Sequence, residues 1–114
     1  MLPDSYYREI DALAELHDAS IGRLASAQVL DRAAFGRFRD AITSFLTHSK
    51  PYSVVPKRAL LLVNTSANLC ESTAEFSEDR EFIAEFGTFM TRAFFLLASG
   101  EDFDDRQPGV PRII

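Results

Sequence analysis

Apolar side chains recur at helical spacing along most of the chain, and the clearest stretch lies between residues 77 and 99. One helix face there is formed, at the i, i+4, i+7, i+11 and i+14 spacing, by Phe82, Phe86, Phe89, Ala93 and Leu96. Four more apolar residues widen this stripe to nearly half of the helix circumference: Ile83, Met90, Phe94 and Leu97. A stripe that wide has to be covered on more than one side. The pattern therefore predicts the central helix of a small bundle.

Three further amphipathic segments precede this one, and capping or helix-breaking residues mark their ends. Helices are predicted over residues 4–29, 31–48, 56–75 and 77–99. Asp31 and Ser77 are the expected N-caps of the second and fourth helices, because their side chains can accept hydrogen bonds from free amides of the first turn. Gly100 is expected to end the fourth helix in a left-handed conformation. A break at Gly22 in the first segment would give five helices instead of four.

The third segment contains an ambiguous run, since residues 59–63 (Ala-Leu-Leu-Leu-Val) would also suit a buried strand. No partner strand is evident elsewhere, so helix is favoured. The predicted fold is an all-α, antiparallel four-helix bundle formed by residues 1–100. Residues 101–114 form an acidic, proline-containing, irregular tail, which is either flexible or packed on the bundle or on a partner. The tail also contains apolar residues, which favour packing: Phe103, Val110, Ile113 and Ile114.

Composition narrows the class of protein further. With 114 residues, of which 46% are hydrophobic and 25% charged, the chain is expected to form one globular domain. It has no apolar run long enough for a membrane span and no signal-peptide core near its start, so a cytoplasmic location is expected. Cys70 is the only cysteine, which excludes an internal disulfide and a cysteine-based metal cluster. No cofactor and no bound metal are expected.

Charge is distributed unevenly along the chain. The net charge of −5 disfavours nucleic acid as a partner, because neutralising phosphates requires an excess of Lys and Arg. Residues 31–58 nevertheless hold six Lys and Arg residues against two Asp residues. The simplest interpretation is that these bases pair with the acidic helices beside them.

Three polar residues of the first helix suggest metal-assisted chemistry. His17 lies among apolar residues on the inward face, where an imidazole can bind metal or transfer a proton, although one hydrogen bond more often satisfies such a residue. Glu15 and Asp18 form an i, i+3 pair that resembles the magnesium-binding carboxylates of all-helical nucleotide pyrophosphohydrolases. That family places Glu-x-x-Glu ahead of Glu-x-x-Asp, and the order here is reversed. A small metal-dependent nucleotide hydrolase is one alternative function.

Arg39 and His48 suggest a second enzymatic alternative. Their combination on one predicted helix is similar to that of HEPN-type ribonucleases, helical domains whose Arg and His lie a few residues apart on one helix. Eight residues separate the two here, which is wider than that pattern. His48 would also suit the end of its helix as a positive partner of the helix dipole.

No catalytic motif is as clear as the apolar stripes, and the favoured function is therefore a small, acidic, non-enzymatic protein-binding module. An inhibitor, an immunity-type protein, an antitoxin or an adaptor would fit. Charge complementarity to a basic protein is expected from six acids: Glu9, Asp11, Glu15, Asp102, Asp104 and Asp105. Phe95 falls on the polar side of its helix, so Phe95 and Phe103 are the expected aromatic anchors. A second copy of the chain is the alternative partner.

Overall fold

Helices account for all the regular structure in residues 2–75 and 77–106, the residues that this computed structural model describes. The first helical rod consists of α1 (Asp4–His17), a π-helical segment (Asp18–Gly22) and α2 (Arg23–Ala27). It is followed by α3 (Arg32–Ser49), α4 (Lys57–Ala74), α5 (Arg80–Ser99) and a 3₁₀ turn (Phe103–Arg106). The all-α prediction is confirmed, and residues 59–63 are helical. The part of the tail expected over residues 107–114 lies outside the described residues.

The four rods form a bundle in which consecutive rods run in opposite directions. Around the bundle the order is α1, α3, α5 and α4, so α3 and α4 lie across a diagonal. The aromatic contact of Phe35 with Phe82 joins the first turns of α3 and α5, which therefore run parallel. Arg58, in the first turn of α4, donates to Asp11 and to the Tyr7 carbonyl in the first half of α1, so α1 and α4 also run parallel. Each helix thus has one parallel and one antiparallel neighbour.

The first rod changes its hydrogen bonding near Gly22 without breaking. Residues 18–22 form π-helix, and the residues that flank them, His17 and Arg23, keep right-handed helical dihedral angles. The Ser20 hydroxyl donates to the Leu16 carbonyl at 2.7 Å, as serine commonly does within helices. A π segment widens one turn without ending a helix, so the four-helix prediction is confirmed.

Two of the three predicted helix ends are confirmed and one is wrong. Asp31 caps α3 by accepting a hydrogen bond from the Ala34 amide at 3.1 Å. Gly100 ends α5 with a φ of 72°, which L side chains rarely adopt. Ser77 does not cap α5, which begins at Arg80; its hydroxyl instead accepts from the Asp79 amide at 3.1 Å in the preceding turn.

The core is rich in aromatic side chains, as the stripe on the fourth helix predicts. Rings from α3 and α5 interleave, and Phe35 and Phe38 both contact Phe86. On the other side, α5 approaches α4 closely at Gly87, where an added Cβ would lie 3.0 Å from the Cβ of Cys70. Small residues at this crossing let the two backbones meet, which buries the Cys70 side chain completely.

Among the described helices, α5 alone has the length and hydropathy of a membrane span. It has 20 residues and a mean hydropathy of 1.3 over its most apolar window. Within that window, 44% is buried inside the bundle. A helix that packs an apolar face into the core of a bundle meets the same criteria.

Candidate functional site

The tail acids that sequence predicts as a charged binding surface are largely engaged inside the molecule. Asp102 is only 5% exposed, and its carboxylate accepts hydrogen bonds from the Thr47 hydroxyl at 3.1 Å and the Asp104 amide at 3.1 Å. The Lys50 ammonium lies 3.4 Å from the same carboxylate and 2.9 Å from that of Asp105. This burial argues against direct contact of Asp102 with a partner, because the chain turns back after Gly100 and encloses the residue. Asp104 and Asp105 remain exposed, and Asp105 is paired with Lys50.

Hydrogen bonds set the ionisation of this cluster. The Asp102 amide, followed by the Lys50 ammonium, lowers the pKa of Asp105 below its usual 3.8. The hydrogen bond to Asp105 correspondingly raises the pKa of Lys50. Both groups are therefore charged near neutral pH, and each neutralises the other. The single Lys50 ammonium offsets one of the two carboxylates that it contacts.

Phe103 is packed against the bundle and is not a free aromatic anchor. Its ring stacks on Phe89 with 5.0 Å between ring centres and 13° between the ring planes. Arg39 lies over Phe89 at 4.5 Å, and Arg92 lies over Phe103 at 5.4 Å. The stack on Phe89 and the contact with Arg92 hold the segment after Gly100 on the bundle.

The acids of the first helix are split between paired and free side chains. Glu9 contacts His48 at 2.8 Å, and Asp11 contacts Arg58 at 2.7 Å. Arg58 and two more of the six bases in residues 31–58, Arg32 and Lys50, form ion pairs with acids, as sequence predicts. Glu15 is exposed and has no ion pair within the described residues.

His17 forms a structural contact between α1 and α4. Its Nδ1 lies 2.7 Å from the Ser66 hydroxyl, and Ser66 in turn lies 2.9 Å from the Leu62 carbonyl oxygen. A hydroxyl has one proton, so if Ser66 donates to Leu62, His17 Nδ1 donates to Ser66. Burial lowers the pKa of His17 below 6.5, and the nearby Asp18 carboxylate opposes this effect. Ser66 is completely buried, so this Ser–His pair is closed to substrates.

The residues of the two enzymatic alternatives do not converge on one site. Arg39 and His48 are nine positions apart on α3, and at about 100° per residue they point to opposite sides of the helix. Their contacts agree, since Arg39 reaches α5 and His48 reaches α1. Glu15 and Asp18 face solvent on α1. Residues 2–75 and 77–106 contain no group of three or more His, Cys, Asp or Glu side chains placed to hold a metal ion.

The candidate site is a groove between α4 and α5, which sequence reasoning did not predict. It encloses about 430 Å³ and is lined by Ala67, Glu71, Ala74, Ala84, Gly87, Thr88, Thr91 and Arg92. We call this the α4–α5 groove. The sequence does show small residues on both helices. Which of them lie opposite each other depends on how α4 and α5 are aligned, and the sequence pattern does not give that alignment. The groove exists because most of these side chains are short and do not project beyond the surface where α4 and α5 pack closely together.

Phe95 lies just beyond one end of the α4–α5 groove. It follows Thr88 by seven positions and Thr91 by four, so the three residues share one face of α5. The Phe95 side chain is 64% exposed, and its ring meets that of Phe94 edge-on at 5.7 Å between centres. Phe95 therefore points outward in the structure, as its position on the helix predicts.

The fold and the groove together define an all-α four-helix bundle with an apolar surface groove. No protein-family model, curated protein or solved structure matches the chain.

Proposed function

We propose that this protein is a small, acidic, non-enzymatic protein-binding module of the cytoplasm, of the inhibitor, immunity-type, antitoxin or adaptor kind. The observation that carries the proposal is Phe95, 64% exposed on α5 beside the α4–α5 groove. An aromatic ring that remains in solvent contributes little to folding, whereas such rings are enriched in protein interfaces. The proposed binding surface is therefore the outer face of α5 and the groove beside it.

The charge of the chain favours a basic partner. The net charge is −5, and no ion pair involves Glu71, Glu81 or Glu85 within the described residues. Such free carboxylates can steer a basic protein toward the surface and accelerate its association at low salt. Glu71, Glu81 and Glu85, rather than the paired acids Glu9 and Asp11, are therefore the side chains proposed to attract the basic partner.

Affinity capture from a lysate of the source organism at low salt tests the proposal. The wild-type protein is expected to retain one partner in near-stoichiometric amount, and raising the salt should release it because exposed charges are screened. The Phe95→Ala variant is expected to lose the partner. Its matched control is Leu61→Ala, because Leu61 is 65% exposed and lies nine positions from Cys70, on the side of α4 that faces away from α5.

The two variants separate a specific surface from general stickiness. Both remove an exposed apolar side chain, so neither should change the melting temperature by more than a few degrees. Loss of the partner in Phe95→Ala but not in Leu61→Ala supports the proposal. Equal loss in both variants, or no retained protein with wild type, contradicts it.

A further inference from the structure

The α4–α5 groove has the shape that a third helix requires. Its α5 wall runs from Ala84 through Thr88 and Thr91 toward Phe95, which is about 16 Å at 1.5 Å per residue. Ala67 and Ala74 form the facing wall on α4. Short side chains on both walls allow another backbone to approach, and three helical turns of an amphipathic segment match this length.

The charged residues around the groove indicate which charge the bound helix carries. Glu71 lines the groove, and Glu75 directly follows the last residue of α4. Glu81 and Glu85 continue the same face of α5 before Thr88. Arg92 is the one base among the lining residues, and its guanidinium lies over the Phe103 ring. The groove is thus acidic at one end and aromatic at the other.

We infer that the α4–α5 groove binds a basic amphipathic helix of a partner protein. The apolar face of that helix lies on the groove and on Phe95, and its basic side chains lie near Glu71 and Glu85. This occupant rests on the proposed function, because it specifies which part of a partner is bound. The small residues provide room for the helix, and the four carboxylates attract a basic helix and repel an acidic one.

A designed peptide provides a direct test with the intact protein. The probe is a fluorescently labelled, 18-residue helical peptide with leucine on one face and lysine on the other. Its binding is measured by fluorescence anisotropy at low salt. We expect saturable binding of this peptide. A peptide of the same composition with its sequence scrambled, and one with glutamate in place of lysine, should each bind at least about tenfold more weakly. Absence of binding by the leucine–lysine peptide, or equal binding of the scrambled one, overturns the inference.

Matched variants locate the binding. Thr88→Trp fills the groove and should weaken peptide binding about tenfold or more. Thr43→Trp is its control, because Thr43 and Thr88 are both exposed and both donate to the carbonyl four residues before them. Glu71→Lys should weaken binding about fivefold, whereas Glu15→Lys, with the same change in net charge, should have an effect below about twofold. Equal effects within either pair overturn the inference.

The failure of this inference and of the proposed function are distinguishable. If lysate capture depends on Phe95 but Thr88→Trp and Thr43→Trp bind the peptide equally, the groove helix is wrong and the binding module stands. If the purified protein forms a dimer that Thr88→Trp dissociates, as light scattering would detect, the occupant is a second copy and the basic helix is wrong.

Discussion

Asp102 and Asp105 hydrogen-bond each other's main chain at the start of the 3₁₀ turn. The Asp102 amide donates to the Asp105 carboxylate at 2.9 Å, and the Asp105 amide donates to the Asp102 carboxylate at 3.3 Å. This reciprocal arrangement is the capping box of helix N-termini, formed here by two aspartates. It satisfies main-chain amides that would otherwise lack partners. The segment after Gly100 is thereby fixed in the position that lets Phe103 stack on Phe89.

Replacing Asp102 should therefore destabilise the whole bundle. Asp102→Ala removes the acceptor of Thr47 and of two main-chain amides, and we expect a loss of about 1–2 kcal/mol in the free energy of unfolding. Urea denaturation followed by circular dichroism measures this. Asp104→Ala is the control, because Asp104 is exposed and should change stability by less than about 0.5 kcal/mol. Equal effects of the two substitutions would mean that the capping box contributes nothing.

His17 should make stability depend on pH. Its pKa is lowered below 6.5 in the native state, so the unfolded chain binds this proton at a higher pH than the native protein does. Stability is therefore expected to fall as the pH decreases from about 7 through 6.5 toward the lowered pKa, and to level off below it.

Thermal unfolding of two variants assigns this pH dependence. His17→Gln should reduce the fall in melting temperature between pH 7 and pH 5, because glutamine does not titrate. His48→Gln is the control, since His48 is exposed and contacts Glu9 at the surface. Parallel pH profiles for the wild type and His17→Gln would contradict the assignment.

Two glycines in helices should respond oppositely to alanine. Gly36 has no neighbouring atom within 4 Å of an added Cβ, so Gly36→Ala should raise stability by about 0.5–1 kcal/mol through helix propensity. Gly87→Ala places its Cβ 3.0 Å from that of Cys70, and we expect a net loss of about 1 kcal/mol from overpacking between α4 and α5. Equal stabilisation by both substitutions, measured by urea denaturation, would mean that the helices can separate at no cost.

Cys70 should be chemically inert in the native protein. Its side chain is fully buried, and burial raises the pKa of the thiol to about 12. A disulfide reagent such as Ellman's reagent should therefore modify the native protein only as fast as α4 and α5 separate. The same reagent should modify the urea-unfolded protein within minutes. Rapid modification of the native protein at pH 8 would contradict the burial of Cys70.

The helices themselves were largely predictable because their signals are local. Apolar residues at helical spacing, the N-cap Asp31 and the left-handed Gly100 each act within a few residues, and all three are confirmed. The start of α5 was not predictable in this way. Asp79 at its N-terminus is engaged by Arg32, 47 residues earlier, and no pattern near Ser77 contains that contact.

The candidate surface was predictable only in part. Phe95 stands among polar residues on one helix, and the helix period alone places it outward. The roles of the charged residues depended on partners far along the chain: Asp11 pairs with Arg58 across 47 residues, and Asp105 pairs with Lys50 across 55.

The sequence by itself determined the helices, their inward faces and the burial of Cys70, because hydrogen bonding and amphipathic periodicity operate within a few turns. Only the tertiary structure decided which charges are neutralised, that Phe103 packs on Phe89, and that small residues of α4 and α5 enclose a groove. Those outcomes follow from the order of helices around the bundle and from the register of each pair. Both are set by packing of the whole core, which no single segment of the chain specifies.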